Sequence, residues 1–148
     1  MMSVELRPAK RSELALFRDM ESDEASRQFV GQNSLEVHEK QFADSRTIYL
    51  TILRDDQPAG FFLLILDEDD RSIDFKRIVI AEKNNGIGQV AITLMEDFCR
   101  LQLALTRVWL NVFEFNHRGI HVYEKLGYRY FKSTELDGKV LLYYEKDL

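Results

Sequence analysis

The chain has 148 residues, 45% of them hydrophobic and 30% charged, with a formal net charge of -5. That length suits one ordinary domain, and the acidic balance excludes a broad nucleic-acid surface, which needs clustered Lys and Arg. No run of about 18 apolar residues occurs, which excludes a membrane-spanning helix. The lone cysteine, Cys99, excludes an internal disulfide. Two prolines and seven glycines are too few for a disordered or low-complexity chain. The first residues lack the basic-then-apolar pattern of a signal peptide, so a cytoplasmic location is expected.

In chain order, residues 4–8 read as a short extended segment. Ser12 is placed to cap a helix carrying Leu14, Leu16, Phe17 and Met20. Residues 21–32 are polar and acidic, and Ser34 is placed to cap a second helix with Leu35, Val37 and Phe42. Residues 47–54 alternate Ile48, Leu50 and Ile52 with other residues, as a strand does. A turn at residues 55–58 leads to a nearly all-apolar strand at 59–67, buried on both faces. After a second turn at 68–71, residues 72–80 form another strand. Ile87, Val90, Ala91, Leu94, Met95, Phe98 and Leu101 then recur at helical spacing. Residues 107–113 are a strand with Val108, Leu110 and Val112 on one face. Residues 116–126 are a short helix stopped by Gly127. Two strands follow, at 128–136 and 139–146, around Asp137-Gly138, a strong hairpin signal. The apolar run at residues 140–144 suits either a strand inside its own sheet or a homodimer contact.

Tight turns make the early strands antiparallel, whereas the strands flanking the long helix need a crossover and should be parallel. The expected fold is therefore α/β (α+β), one domain over residues 1–148. It has a mixed, mostly antiparallel sheet with helices on both faces.

The loop after the fourth strand carries chemistry. Ile78-Val79-Ile80 runs into Ala81-Glu82-Lys83-Asn84-Asn85-Gly86-Ile87-Gly88-Gln89. Asn and Gly tolerate positive φ, so the backbone can turn several N–H groups to one side. With the helix N-terminus they make an anion site of the kind that holds a pyrophosphate, and Lys83 adds a positive charge. The rival is a hairpin at Asn85-Gly86, with Gly88, Val90, Ile92 and Leu94 alternating as a strand. Ile87, Ala91, Met95 and Phe98 fall off that alternation and fit the helix.

This segment resembles the acetyl-CoA loop of the GNAT superfamily of N-acetyltransferases: Arg or Gln, two variable residues, Gly, a variable residue, then Gly or Ala. Here it stands as Lys83-Asn84-Asn85-Gly86-Ile87-Gly88, with Lys at the first position and Asn84 where a glycine is common. The stretch from Val108-Trp109-Leu110-Asn111 through Asn116 to Tyr123-Glu124-Lys125-Leu126-Gly127-Tyr128 resembles that superfamily's second cofactor region. The likeness is loosely nearest the branch of ribosomal-protein and polyamine N-acetyltransferases.

The resemblance implies acetyl transfer from acetyl-CoA to the nitrogen of a small-molecule or protein amine. It implies that the fourth and fifth strands splay apart, forming a central parallel pair with the pantetheine arm in the gap. Backbone groups near Ile78 would pair with that arm. Lys83, Asn84, Asn85, Gly86, Ile87, Gly88 and Gln89 would hold the pyrophosphate, and Asn116 would contact the cofactor through its side-chain amide. Tyr123 would protonate the departing sulfur. For the base, Asp74 is the carboxylate of the fourth strand, expected on one face with Lys76 and Ile78, and Glu114, just beyond the fifth strand, is its rival. Glu21, Asp23 and Glu24 lie where the superfamily lines its acceptor side. No metal is implied: His117 and His121 are four apart on a helix but lack a third ligand. The alternatives are a non-catalytic acyl-CoA-binding module on the same fold, or a protein-interaction module whose Asn-Gly loop is only a turn.

Overall fold

A computed structural model describes residues 3–22, 33–81 and 86–148. Seven strands form one sheet: β1 (Val4–Pro8), β2 (Thr47–Arg54), β3 (Gln57–Leu66), β4 (Ser72–Ile80), β5 (Arg107–Phe113), β6 (Arg129–Leu136) and β7 (Lys139–Asp147). The described helices are α1 (Leu14–Glu21), α2 (Leu35–Ala43), α3 (Ile87–Leu101) and α4 (His117–Lys125). The strand order is β1-β2-β3-β4-β5-β7-β6, and every neighbouring pair is antiparallel except β4 with β5. α3 is the crossover that a parallel pair requires.

Turn chemistry sets the registers. Asp55 and Asp56 both adopt positive φ, 49° and 67°, the mirror-image turn that suits a two-residue hairpin. β3 therefore starts at Gln57, two residues earlier than its apolar run suggests. Pro58 fits because it sits beside a register shift opposite Ile52 and Leu53. The second hairpin turns on Asp137 and Gly138, at 52° and 76°, as their identities require. Ser34 caps α2 by accepting the Val37 N–H at 3.2 Å. Ser12 caps nothing. It lies in a 3-10 turn over Arg11–Glu13, and the Glu13 carboxylate takes the Lys10 N–H at 2.8 Å instead.

Each face of the sheet has its own core. On one, Leu50, Ile52, Phe62, Leu64, Ile73, Phe75, Val108, Leu110 and Val112 meet Ile87, Ala91, Ile92, Met95 and Cys99 of α3. α4 packs beside them through Ile120 and Tyr123. On the other face, Leu14, Phe17 and Met20 of α1 cover Tyr49, Phe61, Leu63 and Val79. Phe17 stacks on Phe61 with ring centroids 4.4 Å apart. The first is the α3 face and the second the α1 face. β7 lies between β5 and β6, so the apolar run at 140–144 is a strand inside its own sheet, with Tyr144 buried and Val140 to Tyr143 half-buried.

Candidate active site

β4 and β5 pair over three positions only: Ser72 with Arg107, Ile73 with Val108 and Asp74 with Trp109. Beyond them the two strands diverge. β4 stays paired with β3 as far as Gly60 opposite Ile80, and β5 with β7 as far as Phe113 opposite Leu141. The gap is thus walled by two half-strands whose inward backbone groups have no strand partner among the described residues. Buried backbone groups need partners. A strand-like ligand lying along the gap can supply them.

A bulge explains the divergence. Leu63 faces Arg77 and Leu64 faces Phe75, which leaves Lys76 as an extra residue in β4. A bulge bends and twists its strand, and here it falls two residues past the last β4–β5 pair. It also resets which side chains share a face. Asp74 lies on the α1 face with Arg77 and Val79, whereas Ile78 turns into the α3-side core. The expected alignment of Asp74 with Lys76 and Ile78 is corrected by this one inserted residue.

At the open end of the gap, Gly86 takes φ 70° and begins the 15-residue α3 without any side-chain cap and with no acidic residue in the first turn. A Cβ built on Gly86 or Gly88 would meet nothing within 4 Å among the described residues, so those residues leave the start of the helix open. Ile87, Gly88 and Gln89 present first-turn N–H groups there, which a helix leaves without internal partners. An uncapped, glycine-lined, acid-free helix start fits a phosphate group. Lys83, Asn84 and Asn85, and likewise Asp23 and Glu24, lie outside the described residues.

Around the closed end of the gap, two titratable groups sit on opposite faces. Tyr123 of α4 is half-buried on the α3 face, edge-on to Phe75 at 5.9 Å and inclined to Tyr128 at 6.0 Å. Its hydroxyl has no hydrogen-bond partner among the described residues, and burial pushes the phenol up to about 12. Asp74, half-buried on the α1 face, is raised to about 6 by burial, with Lys76 pulling it down and Asp67 pushing it up. Beside it is a cavity of about 250 Å³ lined by Asp67, Arg107, Trp109, Phe131, Lys132 and Tyr143. Trp109 and Tyr143 stack at 6.0 Å, and the indole N–H donates to Asp67 Oδ2 at 2.7 Å.

The remaining sequence-predicted residues fall elsewhere. Glu114 is exposed in the turn after β5. It is five positions along the chain from Trp109, roughly 17 Å at strand spacing, so the fold does not bring it together with Asp74. The Asn116 side chain caps its own helix, with Oδ1 accepting the Gly119 N–H at 3.0 Å. A cofactor contact is left to its Nδ2. Glu21 is fully buried rather than lining an open surface. It joins His38 and Arg77 in a cluster that no sequence pattern announced, because its members are 17 and 56 positions apart.

Among the described residues no group of three His, Cys, Asp or Glu side chains could hold a metal ion. No described helix is long and apolar enough to cross a membrane.

Known proteins place this arrangement. The family model of the GNAT acetyltransferases matches residues 13–128. A search of curated proteins returns no match. Among solved structures, a spermidine N-acetyltransferase from Vibrio cholerae, in complex with CoA and spermine, superposes with a TM-score of 0.83 at 19% identity, covering 97% of this chain and 95% of that one. The aminoglycoside acetyltransferase AAC(6')-Ib in complex with coenzyme A gives 0.84 at 15% identity, over 98% and 95%. These likenesses carry the fold, and the family match, spanning well over half of the chain, carries the family. The chain belongs to the GNAT family of acetyltransferases and is an acetyl-CoA-dependent N-acetyltransferase.

Proposed function

We propose that residues 1–148 act as one N-acetyltransferase domain with Tyr123 as acid and Asp74 as base on either side of the β4–β5 vertex. The observation that carries this reading is the pairing of β4 with β5 over residues 72–74 and nowhere beyond. Bound acetyl-CoA supplies an activated acyl carbon. Gly86, Ile87, Gly88 and Gln89, with Lys83, Asn84 and Asn85, hold its pyrophosphate. The open half of β4 around Ile78 pairs with the pantetheine arm and aims an N–H at the thioester oxygen, where negative charge develops. Asn116 adds a contact through Nδ2.

The acceptor amine enters from the α1 face, over the Trp109–Tyr143 shelf. Asp74 takes a proton from its ammonium, freeing the lone pair. As the N–C bond forms and the C–S bond breaks, Tyr123 donates its hydroxyl proton toward the sulfur, and the nitrogen sheds its second proton to water to leave the neutral amide and CoA. A phenol near 12 is fully protonated at neutral pH. Against a thiol of about 8.5, complete transfer is uphill by roughly 3–4 units, so the donated hydrogen bond is the larger part of its work. Glu114, at the far end of β5, serves neither step. The acceptor is a primary amine that arrives charged. Spermidine and aminoglycosides are what the structural neighbours named above act on, and they head the panel to be screened. The domain works where acetyl-CoA is supplied, in keeping with a cytoplasmic location.

Thiol release from acetyl-CoA, measured over a panel of primary amines, tests the reading. Amine-dependent release with a matching acetylated product is expected. Acetyl-CoA binding without release for any amine would support the non-catalytic module instead.

A further inference from the structure

Three titratable side chains from separate elements meet in the interior on the α1 face. Glu21, the last residue of α1, and His38 of α2 are wholly buried, and Arg77 of β4 is 12% exposed. One oxygen of Glu21 lies 2.5 Å from His38 Nε2 and also meets the Asn33 N–H at 3.4 Å, while its other oxygen pairs with the Arg77 guanidinium. A carboxylate only accepts, so His38 carries a proton on Nε2. The Tyr49 hydroxyl, 2.7 Å from His38 Nδ1 and 3.1 Å from the Gln41 side chain, fixes the far edge of the ring. Glu21 is therefore held from two sides and turned onto Arg77.

The position of Arg77 gives this cluster its meaning. The bulge at Lys76 puts Arg77 on the same face as Asp74, about 7–10 Å further along β4. On the entry shelf Arg107 is already paired with Glu145 and Lys132 lies over the Tyr143 ring, so an uncompensated guanidinium at Arg77 would add a further positive charge beside the path of any ammonium coming to Asp74. At that separation, and with screening between that of water and that of a protein surface, one unit charge alters a rate by roughly two- to twentyfold.

We propose that Glu21, oriented by His38, is a specificity-determining residue: it neutralises Arg77 so that the acceptor side of the β4–β5 vertex admits a cationic amine. Arg77 in turn pins the end of α1 to the bulge. The inference rests on reading the Asp74 face as the acceptor side.

The test compares wild type with Glu21→Gln, Arg77→Gln and the double variant, using two readouts. The first is the ratio of kcat/KM for the best aliphatic primary amine, charged at the assay pH, to that for hydroxylamine, which is uncharged. Glu21→Gln should lower this ratio about tenfold, with recovery at high salt, and the double variant should restore it. The second readout is the NMR titration midpoint of the Asp74 carboxyl, which needs no acceptor. It should fall in Glu21→Gln, where a bare cation favours the carboxylate, and return in the double variant. Should Glu21→Gln not fold, Arg77→Gln alone carries the test, with both the ratio and the midpoint expected to rise. A ratio and a midpoint unchanged across the variants that fold would overturn the proposal. Absence of amine acetylation by wild type, with the midpoints shifting as expected, would instead count against the proposed reaction.

Discussion

Asp74→Asn is the most informative single change. Burial against β5 and the nearby Asp67 lift this carboxyl from 3.8 to about 6, against the pull of Lys76. Two units make it about a hundredfold stronger as a base than an ordinary aspartate, while leaving it more than nine-tenths ionised above about pH 7. A general base in this position contributes on the order of a hundredfold or more to turnover, so kcat/KM for an aliphatic amine should fall by about that factor at pH 8. The pH profile separates loss of a base from loss of fit. Wild type should show an acidic limb centred near 6, with about one-tenth of the plateau left at pH 5. The asparagine variant should lose that limb while keeping any limb that belongs to the amine. Stability moves the other way. A carboxyl raised in the folded state stabilises fully below its unfolded value near 3.8, and that contribution is lost as pH rises through about 6. Asp74→Asn should therefore raise Tm at pH 8 and converge with wild type below about pH 4. An unchanged acidic limb in the variant, with Tm differences independent of pH, would refute the assignment.

Tyr123→Phe should cut kcat by about tenfold or more while the dissociation constant for acetyl-CoA stays within about twofold, because the hydroxyl acts on the leaving sulfur and the ring keeps its packing on Phe75. Two glycines should respond oppositely. A Cβ at Gly60 would lie 2.2 Å from the Val79 carbonyl oxygen, a backbone atom that moves only if β3 and β4 separate, so Gly60→Ala should cost about 3 kcal/mol or more in denaturant unfolding. Gly88→Ala meets nothing within 4 Å among the described residues and should leave stability intact while weakening acetyl-CoA binding, since the added methyl projects from the helix start where the phosphates would lie.

Much of this was legible in the sequence, for local reasons. Asp137-Gly138 turns where its backbone preferences demand, and the 3.6-residue period of Ile87, Ala91 and Met95 names α3 against the hairpin alternative. The apolar run in β3 announces a strand buried on both faces. What was missed depends on partners distant in the chain. A bulge leaves no mark on periodicity, so simple alternation puts Ile78 on the face of Asp74, and the residue inserted at Lys76 turns it to the other. Ser12 has the residue type of an N-cap, but the neighbouring Glu13 carboxylate takes the Lys10 N–H and the turn starts earlier than Ser12 suggests. Asn116 has the residue type of a ligand contact and of an N-cap alike, and the structure uses its Oδ1 for the cap while leaving Nδ2 for a contact. Glu21 and His38 read as ordinary polar residues until α1, α2 and β4 bring them together with Arg77.

The central claim is that the gap between β4 and β5, opening toward the uncapped start of α3, holds acetyl-CoA. Thermal unfolding of the intact chain with acetyl-CoA, CoA and a plain nucleotide as control tests it most directly. Ligand at a hundred times its dissociation constant stabilises by about 2.7 kcal/mol through mass action, several degrees in Tm for a chain of this size. A rise with both CoA compounds and none with the control is predicted. No rise with any of them at millimolar concentration would contradict the account.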